Sequence, residues 1–358
     1  MIFNNVYKGK KVLVTGHTGF KGSWLCKWLE MMGADVVGFS LEPSTKPNHF
    51  NNINIKMNSV IGNIKNYNKL NRIFKEHKPE LIFHLAAQPS VLESYDNPLE
   101  TFNSNVIGTV NVLDICRLHK FVKGIVVITT DKCYKNNEWI YPYREIDELG
   151  GIDPYSSSKA CSELVISSYR ESFLKKKNII VASARAGNVI GGGDWVADRL
   201  VPDTVRAANS KKVLLLRNPE SKRPWQHVLE PLSGYLLLGQ KIIERDNKVS
   251  QAWNFGPTND SNLSTKDLIK LMNKHWELII SQNSENPTAP HEASLLMLDS
   301  SKATNLLKWS PVWDINETIN QTVGWYKSFY NDNEIITEKQ IEIFIYNASQ
   351  KGLKWTNQ

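Results

Sequence analysis

Two short stretches of this 358-residue chain hold residue types at spacings that could do chemistry. The first is DPYSSSKACSELV, residues 153–165, in which Tyr155 and Lys159 stand four apart. On a helix such a pair shares one face. A cation beside a phenol favours phenolate, so the spacing predicts that Lys159 lowers the pKa of Tyr155. Phenolate at neutral pH is a general base for an alcohol proton. Removing that proton while hydride leaves the same carbon is alcohol oxidation with a nicotinamide acceptor. A YxxxK spacing alone arises often by chance.

The second stretch, VTGHTGFKG, spaces Gly16, Gly19 and Gly22 as GxxGxxG. Such a turn lets backbone amides approach a pyrophosphate at a helix N-terminus, where the dipole favours an anion. The motif needs a strand before it and a helix after it. KKVLVTG (10–16) is an apolar, β-branched run. Trp24, Leu25, Trp28, Leu29 and Met32 then recur at helical spacing, and Gly33 closes the helix. The cofactor contacts expected here are Gly16, Thr18, Gly19, Phe20, Lys21 and Gly22. An acidic ribose ligand belongs at the tip of the second strand. Ser40 stands there instead. Ser40 leaves NAD and NADP both open, and the lack of a following Arg favours NAD.

These residues must be positioned by a larger frame. ADVVGFS, LIFHLAA, GIVVITTD and IIVASARAGNVI read as strands apolar on both faces. LNRIFKEHKP, NVIGTVNVLDICRLHK and YSSSKACSELVISSYRESFLKK alternate with them as helices. The fold class is α/β: a doubly wound parallel sheet (Rossmann) with a smaller, mostly helical C-terminal substrate region. Residues 1–190 are assigned to the dinucleotide-binding domain, with a returning segment at about 224–256. Residues 191–223 and 257–345 are assigned to the substrate region, which contains a polar stretch at 281–292.

Composition narrows the function. A net charge of +7 admits nucleic acid, a membrane surface or an anionic small molecule. The lysines are dispersed without a long basic block, which argues against nucleic acid and suits a nucleotide diphosphate. No apolar run approaches the roughly 20 residues of a membrane span, and MIFNNVYKGKKVLVTG shows no signal-peptide pattern. The four cysteines form no CxxC pair. They predict reduced thiols, a cytoplasmic location and no metal.

The glycine turn and the YxxxK pair together resemble the short-chain dehydrogenase/reductase family. The length and the second region resemble its extended branch, which modifies nucleotide sugars. That resemblance implies NAD as cofactor. It also implies a strand-end hydroxyl that orients the substrate, and Thr130 of VITTDKCY holds that position. Asp131 and Lys132 follow, an acid and a potential base, where sugar 4-epimerases of the family carry small uncharged residues. Beside a 4-ketosugar they suggest loss of water. Oxidation at C4 acidifies the C5 proton, a base removes it, an acid protonates the departing C6 hydroxyl, and hydride returns to C6.

VTGHTGFKGSWL, HLAAQP, TDKCY, PYSSSK, RAGNVIGGGDW and RPWQHVLEPLSGY are similar to family members that act on CDP-glucose, and the likeness runs to about residue 320. The dTDP-glucose enzymes typically carry Asp-Glu in place of Asp131-Lys132. By that resemblance Tyr155 is the base for the 4-hydroxyl and Lys159 its partner and ribose ligand. Asp131 is the acid toward the C6 hydroxyl, and Lys132 the C5 base, an assignment left open. Further cofactor contacts are Ser40, Asn63, Ile64, Leu85, Ala86, Ala87 and Gln88. Substrate contacts are Gln88, Asn188, Trp195, Arg199, Arg223, Gln226 and His227, with core packing an equal alternative for any Trp. Two positions depart from the family: Asn63 follows Gly62 where Asp is usual, and Leu92 replaces a polar residue over the substrate. Another nucleotide-sugar 4,6-dehydratase, or a 4-epimerase, is the alternative activity. A sensor that had lost catalysis would commonly lack Tyr155 or Lys159. The family also implies a homodimer or homotetramer built on the helix of Tyr155 and Lys159 and the helix before it.

Overall fold

The computed structural model describes residues 2–216, 218–276, 281–283 and 295–356. Most of the polar stretch 281–292 therefore lies outside the described residues. Seven strands form one parallel sheet: β1 (Lys11–Thr15), β2 (Asp35–Ser40), β3 (Asn58–Ile61), β4 (Leu81–His84), β5 (Gly124–Ile128), β6 (Ile180–Ala186) and β7 (Ala252–Phe255). Their order is β7-β6-β5-β4-β1-β2-β3. Every residue of β4, β5 and β6 is buried. That is why these strands read as continuous apolar runs: helices cover both faces.

Side chains alternate across the sheet and build two cores. Val12, Val14, Leu81, Phe83, Val126 and Ile128 point to one face, against α1 (Phe20–Met31) and the long apolar helix Leu229–Ile243. Leu13, Ile82, Ile125 and Val127 point to the other. That face is covered by α2 (Tyr67–His77), α3 (Gly108–Leu118) and α4 (Pro154–Tyr169).

Several elements differ from the sequence expectation. β4 stops at His84, and Leu85-Ala86-Ala87 continue as half-buried loop. β6 stops at Ala186, after which Val189–Ile190 pairs with Gln226–His227 as a separate two-stranded piece. β3 carries no apolar signal because its residues are exposed or half-buried at the sheet edge. The helix Thr337–Gln350 was not foreseen either. It belongs with the sheet: Phe344 meets Trp28 of α1 edge-to-face at 5.8 Å, and Glu338 pairs with the buried Lys27 at 2.5 Å. Among the described residues no helix is long and apolar enough to cross a membrane.

Trp28 is the hinge of this C-terminal embrace, fully buried against Phe3, Phe344 and Trp355. Trp28→Ala is expected to lower unfolding free energy by about 3–5 kcal/mol. Urea unfolding would measure it, and a loss below about 1 kcal/mol would contradict the packing described.

Candidate active site

The chain runs outward from β1 to β2 and β3, then returns to β4 on the other side of β1. The carboxyl ends of β1 and β4 therefore flank the crevice where ligands bind in doubly wound sheets. The glycine turn fills the end of β1. Gly16 has φ +76°, and a Cβ there would stand 2.8 Å from the Ala86 backbone nitrogen. A Cβ at Gly22 would stand 2.1 Å from the Gly16 carbonyl oxygen. Only glycine lets turn and helix pack this closely. Gly19 caps α1 without a side-chain hydrogen bond, so the first-turn amides stay available for an anion. Thr18 Oγ1 donates to the Leu41 carbonyl at 2.8 Å and lies 2.9 Å from Ser40 Oγ, which ties the turn to the tip of β2. This cradle fits a dinucleotide. Asn63 Oδ1 accepts from the Lys65 amide at 2.9 Å, and Ile64 is buried against Gly108.

The reactive groups gather at the end of β5. A short turn, Asp131–Cys133, follows Thr130 directly. Thr130 Oγ1 accepts from the Lys132 amide at 3.3 Å and donates to Asp131 Oδ1 at 2.9 Å. Asp131 is 2% exposed, and its Oδ2 is buried without a partner among the described residues. Burial pushes its carboxyl above the usual range, against the opposing pull of Lys132, Thr130, Arg223 and Lys21. Lys132 is half-buried and lines a small cavity with Tyr95, Tyr134 and Ser156.

Tyr155 and Lys159 enter on α4. Asp153 caps this helix, its Oδ1 accepting from the Ser156 amide at 2.9 Å, and Pro154 opens the first turn. Lys159 Nζ donates to the Ile128 carbonyl at 3.5 Å. Burial presses Lys159 down to about 8. Tyr155 corrects the sequence expectation: burial pushes its phenol up to about 12, with Asp131 adding to the rise, and a Thr130 hydrogen bond and Arg199 only partly oppose it. The pair shares a helix face, but desolvation dominates both groups, and the charges acting on Tyr155 are those of Asp131, Arg199 and Asp153. Lys21 joins the cluster from α1 and is lowered to about 8 by burial and by Arg199 and Lys159.

The remaining expected contacts divide. Arg199 pairs with Asp194 at 2.9 Å, and Arg223 lies on the short strand Lys222–Pro224 with its charge acting on Asp131. Asn188 is half-buried, its carbonyl accepting from the Gln226 amide at 3.1 Å. Four residues are committed to the protein interior instead. Trp195 donates to Tyr330 Oη at 3.0 Å and packs on Phe329. His227 has no exposure and sits edge-to-face with Trp24 and Trp313. Gln226 Nε2 donates to the Phe255 carbonyl at 3.0 Å. Gln88 spends its amide on Ser90 and Thr101, holding the loop after β4.

Sequence reading missed Glu163 and Arg185. They form a buried ion pair at 2.9 Å behind the reactive groups. The available signal was Glu163 itself, one turn beyond Lys159 on an otherwise apolar and small-residue face.

Fold and site define a nucleotide-binding α/β enzyme whose reactive groups cluster beside the dinucleotide cradle. Residues 13–322 match the family described as GDP-mannose 4,6 dehydratase, and the chain belongs to that family. It is 45% identical over 353 residues to the CDP-glucose 4,6-dehydratase of Salmonella typhimurium, covering 97% of this chain and 98% of that one. It is 26% identical to the CDP-paratose 2-epimerase of Salmonella typhi, covering 89% and 99%. Among solved structures, an epimerase from Methanothermobacter thermautotrophicus superposes with TM-score 0.80 at 24% identity, covering 94% of this chain and 96% of that one. The dTDP-glucose 4,6-dehydratase of Bacillus anthracis, in complex with NAD, gives 0.74 at 22%, covering 91% and 99%.

Gly22→Ala is expected to weaken NAD binding about tenfold or more, because overpacking the cradle costs about 1–3 kcal/mol. Calorimetric titration would read it, and an unchanged Kd would contradict the fit.

Proposed function

We propose that this chain is a CDP-glucose 4,6-dehydratase that uses NAD to convert CDP-glucose to CDP-4-keto-6-deoxyglucose and water, for deoxysugar synthesis. The carrying observation is the Thr130-Asp131-Lys132 turn. It sets a buried carboxyl, raised above its usual range and with one oxygen unpartnered among the described residues, beside the Tyr155 phenol, with Lys132 next in the same turn. Its near full-length identity to a relative of that name supports the substrate. Held by the turn of Gly16, Gly19 and Gly22, NAD would supply the reversible hydride acceptance that oxidation at C4 and reduction at C6 require.

The chain's own residues handle the protons. Tyr155 Oη takes the proton of the 4-hydroxyl as phenolate, a form that burial disfavours and that the positive charge of bound NAD would favour, with Thr130 orienting that oxygen. Lys132 Nζ, as the neutral amine, takes the proton from C5. Asp131, whose carboxyl burial raises above its usual range, donates its proton to O6, which leaves as water. Lys132 returns its proton to C5, and the proton held by Tyr155 replaces the one Asp131 gave up. Every proton is then accounted for, and the cofactor ends as it began. Arg199 and Arg223 hold the diphosphate with guanidinium donors. The enclosed position of these groups keeps water from the ketosugar.

Asp131→Asn is expected to cut kcat by about 10²–10⁴-fold, the usual range for a lost general acid. A variant within about threefold of wild type would remove Asp131 from this role. Offered CDP-, dTDP-, UDP- and GDP-glucose in parallel, the protein is expected to dehydrate the CDP-sugar preferentially, as read by mass spectrometry. A product of unchanged mass would favour the 4-epimerase reading.

The active assembly is a homodimer in the cytoplasm. Ile107, Leu118, Leu164 and Phe173, on and around α3 and α4, leave apolar surface exposed that a second copy would cover. Leu164→Glu is expected to convert the dimer to monomer in light scattering, and a wild-type protein that is already monomeric would overturn this assembly.

A further inference from the structure

The reactive turn is gripped at both of its ends by one buried ion pair. Glu163, on α4, accepts from Thr129 Oγ1 at 2.5 Å and from Ser183 Oγ at 2.8 Å. Thr129 directly precedes Thr130. Arg185, on β6, donates to Tyr134 Oη at 2.7 Å and to the Glu145 carbonyl at 3.3 Å, and its guanidinium lies over the Tyr134 ring at 4.9 Å. Tyr134 ends the same turn and donates onward to Asn254 Oδ1 at 2.8 Å. Glu163 and Arg185 meet at 2.9 Å with side chains 3% and 4% exposed. Lys159, one helical turn before Glu163, reaches the carbonyl of Ile128, the residue before Thr129. Helix α4 therefore holds consecutive residues of the β5 end through two consecutive turns of one face.

We infer that Glu163 and Arg185 act together as positioning residues for the dehydration. They fix the Thr130-Asp131-Lys132 turn against Tyr155, and the Glu163 carboxylate keeps Lys159 protonated. A fold needing only stability would not require this pair, since a buried ion pair replaced whole by apolar groups often leaves stability unchanged or improved. Its placement between the two halves of the reactive group is what favours the functional role.

The charges facing Lys159 support the second half. Lys21 approaches from α1, His84 from β4 and Cys133 from the turn. Glu163 is the carboxylate that raises Lys159 against the burial that lowers it. Around Glu163 stand Arg185 from β6 and Arg170 from the end of its own helix. Burial works against the Glu163 charge, but Arg185 and the hydrogen bonds from Thr129 and Ser183 outweigh it and hold the carboxyl below its usual range.

The test is the pH profile of kcat on CDP-glucose. Removing the pair together as Glu163→Gln with Arg185→Met leaves no buried charge alone, so this double variant is the primary one. Its kcat is expected to fall about tenfold to a hundredfold, with KM within about twofold, because the diphosphate contacts are untouched. Without the carboxylate, Lys159 gives up its proton at lower pH, so the alkaline limb moves down by about one pH unit. A double-variant limb at the wild-type pH overturns the inference, whatever happens to the melting temperature. The assay rests on the proposed activity, and wild-type turnover separates the two. A wild type that does not dehydrate CDP-glucose counts against that activity. A wild type that does, beside an unmoved limb, counts against the clamp.

Discussion

Desolvation at the carboxyl edge of the sheet is the constraint on which the site depends. Asp131, Tyr155 and Lys159 are buried at that edge with Lys21 half-buried near them, and burial drives each toward its neutral form. A carboxyl raised by burial is better suited to give up a proton at neutral pH than one left in open water. In open water the same residues would be a carboxylate, a cold phenol and two permanent cations. The chemistry is therefore set by the apolar strands and helices that enclose these groups as much as by the groups themselves.

That enclosure has a structural cost, because buried charges must be paired. Glu163 on α4 and Arg185 on β6 pair with each other and make further bonds to Thr129, Ser183 and Tyr134. The glycine turn solves a different problem at the next strand end. Backbone, not side chain, must approach an anion there, so Cβ atoms at Gly16 and Gly22 are excluded by contact with Ala86 and with the turn itself.

Local features were legible from the sequence. A turn that demands glycine, a YxxxK face and a Thr-Asp-Lys run each lie within nine residues, and the strands buried on both faces announce themselves as apolar runs. What depended on tertiary context was not legible. The pKa of Tyr155 depends on burial, which spacing cannot show. Trp195 and His227 look like ligand contacts beside glycine-rich and charged loops, yet Tyr330, Phe329, Trp24 and Trp313 arrive from distant segments to bury them. Arg185 lies 22 residues beyond Glu163 and on a different element, so no local pattern joins them. The helix Thr337–Gln350 was missed because its apolar face is defined by α1, more than 300 residues earlier.

In the proposed reaction one site oxidises C4, expels water across C5 and C6, and returns the same hydride to C6. Incubation with CDP-glucose deuterated at C4 tests it most directly. The expected product is lighter by one water and retains the deuterium on its C6 methyl, with no net reduced cofactor. Deuterium found at C4, or lost to free reduced cofactor, would contradict it.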